Sequence, residues 1–214
     1  MSRFTWIFPE ICNVDELMNN TLQTNGSGVF DVGVIHGRFQ VLHNDHLRYL
    51  LAGKEKCTHL VVGITNPDPV LTKKEDSAPG RDDPAANPLT YYERQLLIRA
   101  VFREQGIHPD AFSIVPFPVN FPDLYKYYVP MDAVFFLTLY DEWGKRKLGY
   151  FSDIGLATHV LWEVPPEKKG LSAADIRMRM LEKAPWAHLV PPAAARLLAE
   201  WNIGERLVHL TQQS

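Results

Sequence analysis

The 214-residue sequence predicts an α/β protein built on a doubly wound parallel sheet. Three observations predict it. Strand-like apolar runs alternate with helix-like amphipathic ones along most of the chain. The strand runs are apolar at consecutive positions, as strands covered on both faces are. The first of them ends at a glycine that leads through a short turn into a helix.

Residues 1–28 read as an N-terminal appendage, and residues 29–214 as one domain. Within the appendage, Asn13 and Glu16 have capping-box spacing, and Thr24-Asn25-Gly26-Ser27-Gly28 forms a flexible close. The run Phe30–Ile35 is the first strand and stops at Gly37. A helix follows from Asn44 to about Lys56, with Leu47, Leu50 and Leu51 on one face. His59–Ile64 is the second strand. The stretch Asn66–Pro88 is rich in proline and charge and has no periodicity, which leaves two readings: a lid that folds Lys73, Lys74 and Arg81 over a ligand, or a solvated loop. Thr90 and Glu93 have capping-box spacing and open a helix through Arg103. Phe112–Phe117, Ala133–Leu137 and Thr158–Val164 supply three more strands, and Asp141–Leu148, Ser172–Lys183 and Ala193–Trp201 three more helices. Right-handed crossovers then place helices on both faces of the sheet, and the chain closes with a C-terminal helical portion.

Composition excludes several classes. Lys+Arg 22 against Asp+Glu 25 gives a net charge of -3, so nothing points to a nucleic-acid or membrane-surface partner. The apolar start, Phe4 to Phe8, is broken by Pro9 and Glu10 before it reaches the length of a signal or membrane segment. Cys12 and Cys57 suggest neither a disulfide framework nor a metal spacing. The expectation is a cytoplasmic protein.

In open parallel sheets ligands bind beyond the carboxyl ends of the strands, where strand order reverses. The first strand therefore aims Gly37-Arg38-Phe39-Gln40-Val41-Leu42-His43-Asn44-Asp45-His46 at the site. His43 and His46 are three apart at a helix entrance and share a face, so both imidazoles converge on one anion. The helix N-terminus adds free N–H groups and partial positive charge, Arg38 a permanent charge, and Gly37 room for close backbone approach. This favours a polyphosphate. Surface polarity and a zinc site lacking a third ligand are the alternatives. A second cluster, Gly170 to Met180, opens with a Ser172–Asp175 capping box. That box is at least a helix start. It also suits phosphate oxygens, because a side chain at Arg177 leans back toward the N-terminus, whereas Arg179 points to the surface.

The two clusters together, in this order, resemble the nicotinamide-mononucleotide adenylyltransferases of archaeal type, within the H-x-G-H nucleotidyltransferase superfamily. That family carries G-R-F-Q-P-x-H-x-G-H, N-P-F-T-x-x-E-R and S-x-T-x-x-R-x-R-M. Gly37–His46, Asn87–Arg94 and Ser172–Met180 match these in turn, and the similarity runs from about Asp31 to Leu210, taking in Pro185-Trp186 and Leu189-Val190-Pro191. The resemblance implies a Rossmann-like fold and transfer of AMP from ATP to nicotinamide or nicotinate mononucleotide with Mg²⁺, as in NAD biosynthesis. It implies that His43, His46, Arg38 and Arg177 act on the phosphates. Gly37, Phe39, Gln40, Ser172, Ala173 and Ile176 would complete the nucleotide site, and Asn120 and Tyr125 would receive the acceptor. The family commonly forms oligomers, so a homo-oligomer belongs to the expectation.

Four departures qualify it. Asp45 replaces the glycine between the histidines, which leaves three roles for its carboxylate: repelling the triphosphate, helping to hold Mg²⁺, or capping the helix while pointing away. Val41 replaces a proline and Ala174 a threonine. In the acceptor segment, Asn120 to Tyr125, the family's Asn and Trp give way to Pro122 and Tyr125, so Tyr125 is either a ring-stacking aromatic or a core one. A Ser-Gly-Asn turn after the fourth strand is replaced by Leu137-Thr138-Leu139-Tyr140. Hence two further hypotheses: AMP or CMP transfer to another phosphorylated or phosphonylated small molecule, and a catalytically silent nucleotide-binding protein.

Overall fold

The computed structural model describes residues 29–69, 71–72, 83–140, 142–165 and 170–213. The N-terminal appendage with its Asn13 capping box, and the lid candidates Lys73, Lys74 and Arg81, lie outside the described residues.

Five strands form one parallel sheet: β1 (Phe30–Gly37), β2 (Cys57–Thr65), β3 (Phe112–Phe117), β4 (Val134–Leu139) and β5 (Thr158–Glu163), in the order β3-β2-β1-β4-β5. The helices are α1 (Asn44–Glu55), α2 (Tyr91–Glu104), α3 (Glu142–Asp153), α4 (Ala173–Leu181), α5 (Pro192–Glu200) and α6 (Ile203–Gln213). Each strand and helix expected in the described residues is present, with ends shifted by a few residues. Helix α6 is an addition. The expected capping boxes at Thr90/Glu93 and Ser172/Asp175 are both closed reciprocally.

The sheet separates two cores. On one side Ile35, Leu60 and Val62 meet Leu50 of α1, Leu97 and Val101 of α2, Ile176 of α4 and Leu207 of α6. On the other, Val34, Val61, Phe135 and Leu137 meet Phe117, Tyr125 and Phe151 of α3. Alternate residues of β1 thus enter different cores, which is why its apolar run is nearly continuous. Gly33 has no room for a side chain, because an added Cβ would lie 2.2 Å from the Phe136 ring.

One feature of the register opens the site. β1 pairs with β2 from Phe30↔Cys57 to Gly37↔Ile64, but with β4 only at Gly33↔Val134 and Val34↔Phe135. Beyond those two positions β1 and β4 part, at the place where the chain crosses from one half of the sheet to the other. A cleft follows from that divergence.

Candidate active site

The cleft encloses about 330 Å³ over the carboxyl ends of β1 and β4. Its lining brings together Arg38, His43, Asp45, His46, Ser172 and Ala173, which are separated by up to 135 positions in the chain. Thr138 of β4, Tyr140 just after it and Lys147 of α3 also line it.

His43 is the N-cap of α1: its Nδ1 accepts from the His46 backbone N–H at 3.3 Å. That bond places the ring proton of neutral His43 on Nε2. The two imidazoles stack with centroids 3.7 Å apart and 25° between planes. Burial brings the His43 pKa down to about 4 against the pull of Asp45 and Asp175. His46 is also held well below its ordinary value, by burial first and then by His43 and Arg38, with the Val41 carbonyl opposing. Two neutral imidazoles therefore wait at a helix N-terminus, and a polyanion entering there would favour their protonation.

Asp45 does not cap α1. Its Oδ2 accepts from the Leu171 N–H at 2.8 Å, and Oδ1 lies 3.6 Å from Arg48. The carboxylate therefore straps the start of α1 to the segment leading into α4. Gly170 answers it, since a Cβ there would come within 2.2 Å of Asp45 Oδ2.

Gly37, Phe39 and Gln40 line the cleft as well, and several of the predicted site residues also have structural contacts. Gly37, in the cleft lining, also gives room to a side chain: an added Cβ would sit 2.9 Å from the Phe39 ring. Phe39, at φ 54°, is fully buried and meets the His46 ring edge-on at 5.1 Å, so it buttresses the histidine pair. The Gln40 side chain is spent on Leu89, donating to its carbonyl at 2.7 Å and accepting from its N–H at 2.9 Å. Arg177 donates to the Gln40 carbonyl and is faced by Asp83. It braces the loop after β1 from α4. Ile176 is a fully buried core residue, which leaves only its backbone for a ligand. Ser172 lines the cleft, and its hydroxyl both donates to Asp175 Oδ2 and accepts from the Asp175 N–H.

The acceptor expectation changes most. Tyr125 is fully buried, packs on Phe117 with centroids 4.5 Å apart, and donates to the Val119 carbonyl at 2.6 Å. It belongs to the second core and has no face for a ligand ring. Asn120 does not line the cleft, although its neighbour Val119 does, and the Asn120 Nδ2 is buried without a hydrogen-bond partner among the described residues. The segment Pro122–Tyr127 coils into a 3₁₀ turn that rotates Tyr125 inward.

Two residues were missed by sequence reasoning. Arg94, within the N-P-L-T-Y-Y-E-R motif, is buried and donates to the carbonyls of Arg38, Thr65, Asn66, Pro67 and Thr90 at 2.8–3.5 Å. His36, the last residue but one of β1, lines the cleft and is buried. Its place directly before Gly37 was the available signal.

No protein-family model matches the chain. It is 49% identical over 175 residues to a phosphonoformate cytidylyltransferase of Streptomyces viridochromogenes, covering 82% of this chain and 94% of that one. It is 30% identical over 182 residues to a nicotinamide-nucleotide adenylyltransferase of Thermococcus onnurineus, covering 82% of this chain and 86% of that one. In fold it resembles a solved bifunctional NMN adenylyltransferase/ADP ribose pyrophosphatase from Francisella tularensis, with a TM-score of 0.57, 13% identity and 84% of this chain covered. The chain spans 52% of that two-activity protein.

Proposed function

The chain belongs to the nucleotidyltransferases, the enzyme family that includes the cytidylyltransferase and adenylyltransferase relatives just described, and from that premise we propose that it transfers CMP from CTP to a compact acid bearing a phosphonate. The observation that carries this choice is the burial of Tyr125, which takes the predicted ring-stacking aromatic out of the cleft; Thr138, Tyr140 and Lys147 line the cleft and would form its acceptor end. A polar, cationic end suits a small anion better than a flat pyridine ring. The 49% identity to a phosphonoformate cytidylyltransferase supports the same reading.

The step is a direct displacement. An acceptor phosphonate oxygen attacks the α-phosphorus and forms a new P–O bond, while the bond to the β-bridging oxygen breaks and its electron pair leaves with pyrophosphate. Protein groups need only align the reactants and neutralise charge. The His43–His46 pair donates to oxygens of the α-phosphate, and Arg38 with the N–H groups around Ser172 and Ala173 holds the outer phosphates. Arg177 acts one step removed, by fixing the Gln40 carbonyl and with it the loop that carries Arg38.

Magnesium fits this site as a companion of the triphosphate. Among the described residues no three His, Cys, Asp or Glu gather into a metal site, and the Asp45 carboxylate already serves Leu171 and Arg48. Mg²⁺ readily takes most of its ligands from phosphates and water. It would neutralise charge on the departing pyrophosphate. No described helix is long and apolar enough to cross a membrane.

A second reading, AMP transfer from ATP to nicotinamide mononucleotide, draws on the three shared motifs and on the 30% identity to the archaeal adenylyltransferase. Pyrophosphate release with Mg²⁺ separates the two, using CTP or ATP with phosphonoformate, nicotinamide mononucleotide, nicotinate mononucleotide or no acceptor. We expect release with CTP and phosphonoformate, reduced by about a hundredfold or more in His46→Ala. Release confined to ATP with a pyridine nucleotide establishes the second reading. No release in any pairing, with nucleotide still bound, leaves a silent binding protein.

A further inference from the structure

The cleft contains a polar group that this phosphate chemistry does not use. His36 lies on the α3 side of β1, with its ring centroid 5.2 Å from that of Phe117 and 5.5 Å from that of Phe151. It is 6% exposed, and neither Nδ1 nor Nε2 has a hydrogen-bond partner among the described residues. Yet it lines the cleft with Thr138, Tyr140 and Lys147. Between two phenylalanine rings a third phenylalanine would satisfy the packing without burying two polar nitrogens. A partnerless buried imidazole under a ligand cleft is instead a group kept for something that enters the cleft.

The neighbourhood specifies what enters. Lys147 is close enough to lower the His36 pKa further, after burial has lowered it first. A cation beside a neutral imidazole donor forms an anion subsite, and it lies toward β4, away from the His43–His46 pair over α1. We propose that His36 and Lys147 receive the acceptor's non-reacting anionic group, a carboxylate attached directly or through a short spacer to the phosphonate that attacks. His36 donates a ring N–H to one carboxylate oxygen and Lys147 supplies the counter-charge. The pair thereby selects compact di-acids over acceptors that present an uncharged group there. This assignment rests on the transfer reading above for the identity of the acceptor, but its binding test does not depend on turnover.

The test is calorimetric titration of phosphonoformate and, separately, CTP into the full chain: wild type, His36→Phe, His36→Asn and Lys147→Met. Pyrophosphate release and thermal melting are measured in parallel. We expect His36→Phe and Lys147→Met to weaken phosphonoformate binding by about tenfold or more, with CTP binding changed less than about twofold. His36→Asn, which keeps a donor, recovers part of the loss, and His36→Phe melts no lower than wild type. Phosphonoformate binding equal in wild type and His36→Phe makes His36 a core residue and overturns the assignment, as does a wild type that does not bind phosphonoformate. Should His36→Phe fail to fold, His36→Asn and Lys147→Met decide by the same comparison. Absence of pyrophosphate release alongside weakened binding in the variants overturns the transfer reading alone.

Discussion

Asp45 stands between the two cleft histidines where the related family carries glycine, and the structure gives it a mechanical role. Its carboxylate accepts from the Leu171 N–H across 126 residues of sequence, and Gly170 leaves room for it. The two positions therefore depend on each other. Asp45→Gly removes a charge-assisted hydrogen bond and places glycine in the first turn of α1, for a cost of about 2 kcal/mol. Gly170→Ala in the wild-type background forces the carboxylate off Leu171 and costs a similar amount. In the Asp45→Gly background the same alanine meets no carboxylate and costs little. Urea unfolding of the four proteins checks this, and additive effects in the double variant would show that the strap does not couple the two segments. The Asp45 replacement was visible in the sequence as a departure, but its partner was not, because nothing local to Leu171 announces an acceptor so far away.

Helix α2 organises the cleft without lining it. Its capping box was legible because Thr90 and Glu93 are three apart, and part of its apolar face because Leu97 and Val101 are four apart; Ile98 and Phe102 complete that face in the structure. Arg94, on that buried side, gathers the carbonyl ends of the loops after β1 and β2. Burial and the nearby Arg38 bring its pKa down to about 10, so it remains a cation in neutral solution. Replacing it with Met leaves several buried carbonyls without a donor, and Lys cannot span them as a planar fork does. Arg94→Met should lower the unfolding free energy by about 2–4 kcal/mol, and Arg94→Lys by somewhat less. A urea-unfolding loss under about 1 kcal/mol in the Met variant is incompatible with that pinning role. Glu93 extends the same helix outward, with both carboxylate oxygens 2.8 Å from Arg206 on α6. Helix α6 itself escaped sequence reading. Only Trp201 and Asn202 separate it from α5, and Asn202, at φ 51°, turns the chain where no glycine or proline signals a break.

In the molecule as a whole, the sheet and the meeting of His43, His46 and Ser172 in one cleft could be read from sequence, because each depends on short spacing: strand runs, helix caps, two histidines three apart. The acceptor end could not, because which core an aromatic such as Tyr125 enters depends on the 3₁₀ turn and the opposite sheet face. The same architecture buries His36 and His43 and half-buries His46 near one cleft, and lowers the pKa of each from 6.5. The consequence for stability has a definite sign. Below 6.5 the unfolded chain takes up protons that the folded one refuses, so stability is complete above that value and falls as pH drops, in the case of His43 until about 4. Each such histidine adds a slope of about 1.4 kcal/mol per pH unit across that window. Glu93 and Asp175, held below their ordinary values by Arg206 and Thr90 and by Ser172, lose their contributions at lower pH still. Unfolding free energies measured by urea between about pH 7.5 and 4.5 should therefore fall steadily from about 6.5 downward. On the proposed reading a bound triphosphate favours protonated imidazoles at His43 and His46, so saturating CTP should make that fall shallower. His46→Asn, which removes one of the three, should flatten the curve of the free protein by roughly one histidine's slope. A curve that stays level to about pH 5 would mean that the folded chain takes up protons at these histidines as readily as the unfolded one, so that burial does not hold the stacked pair neutral before a polyanion arrives.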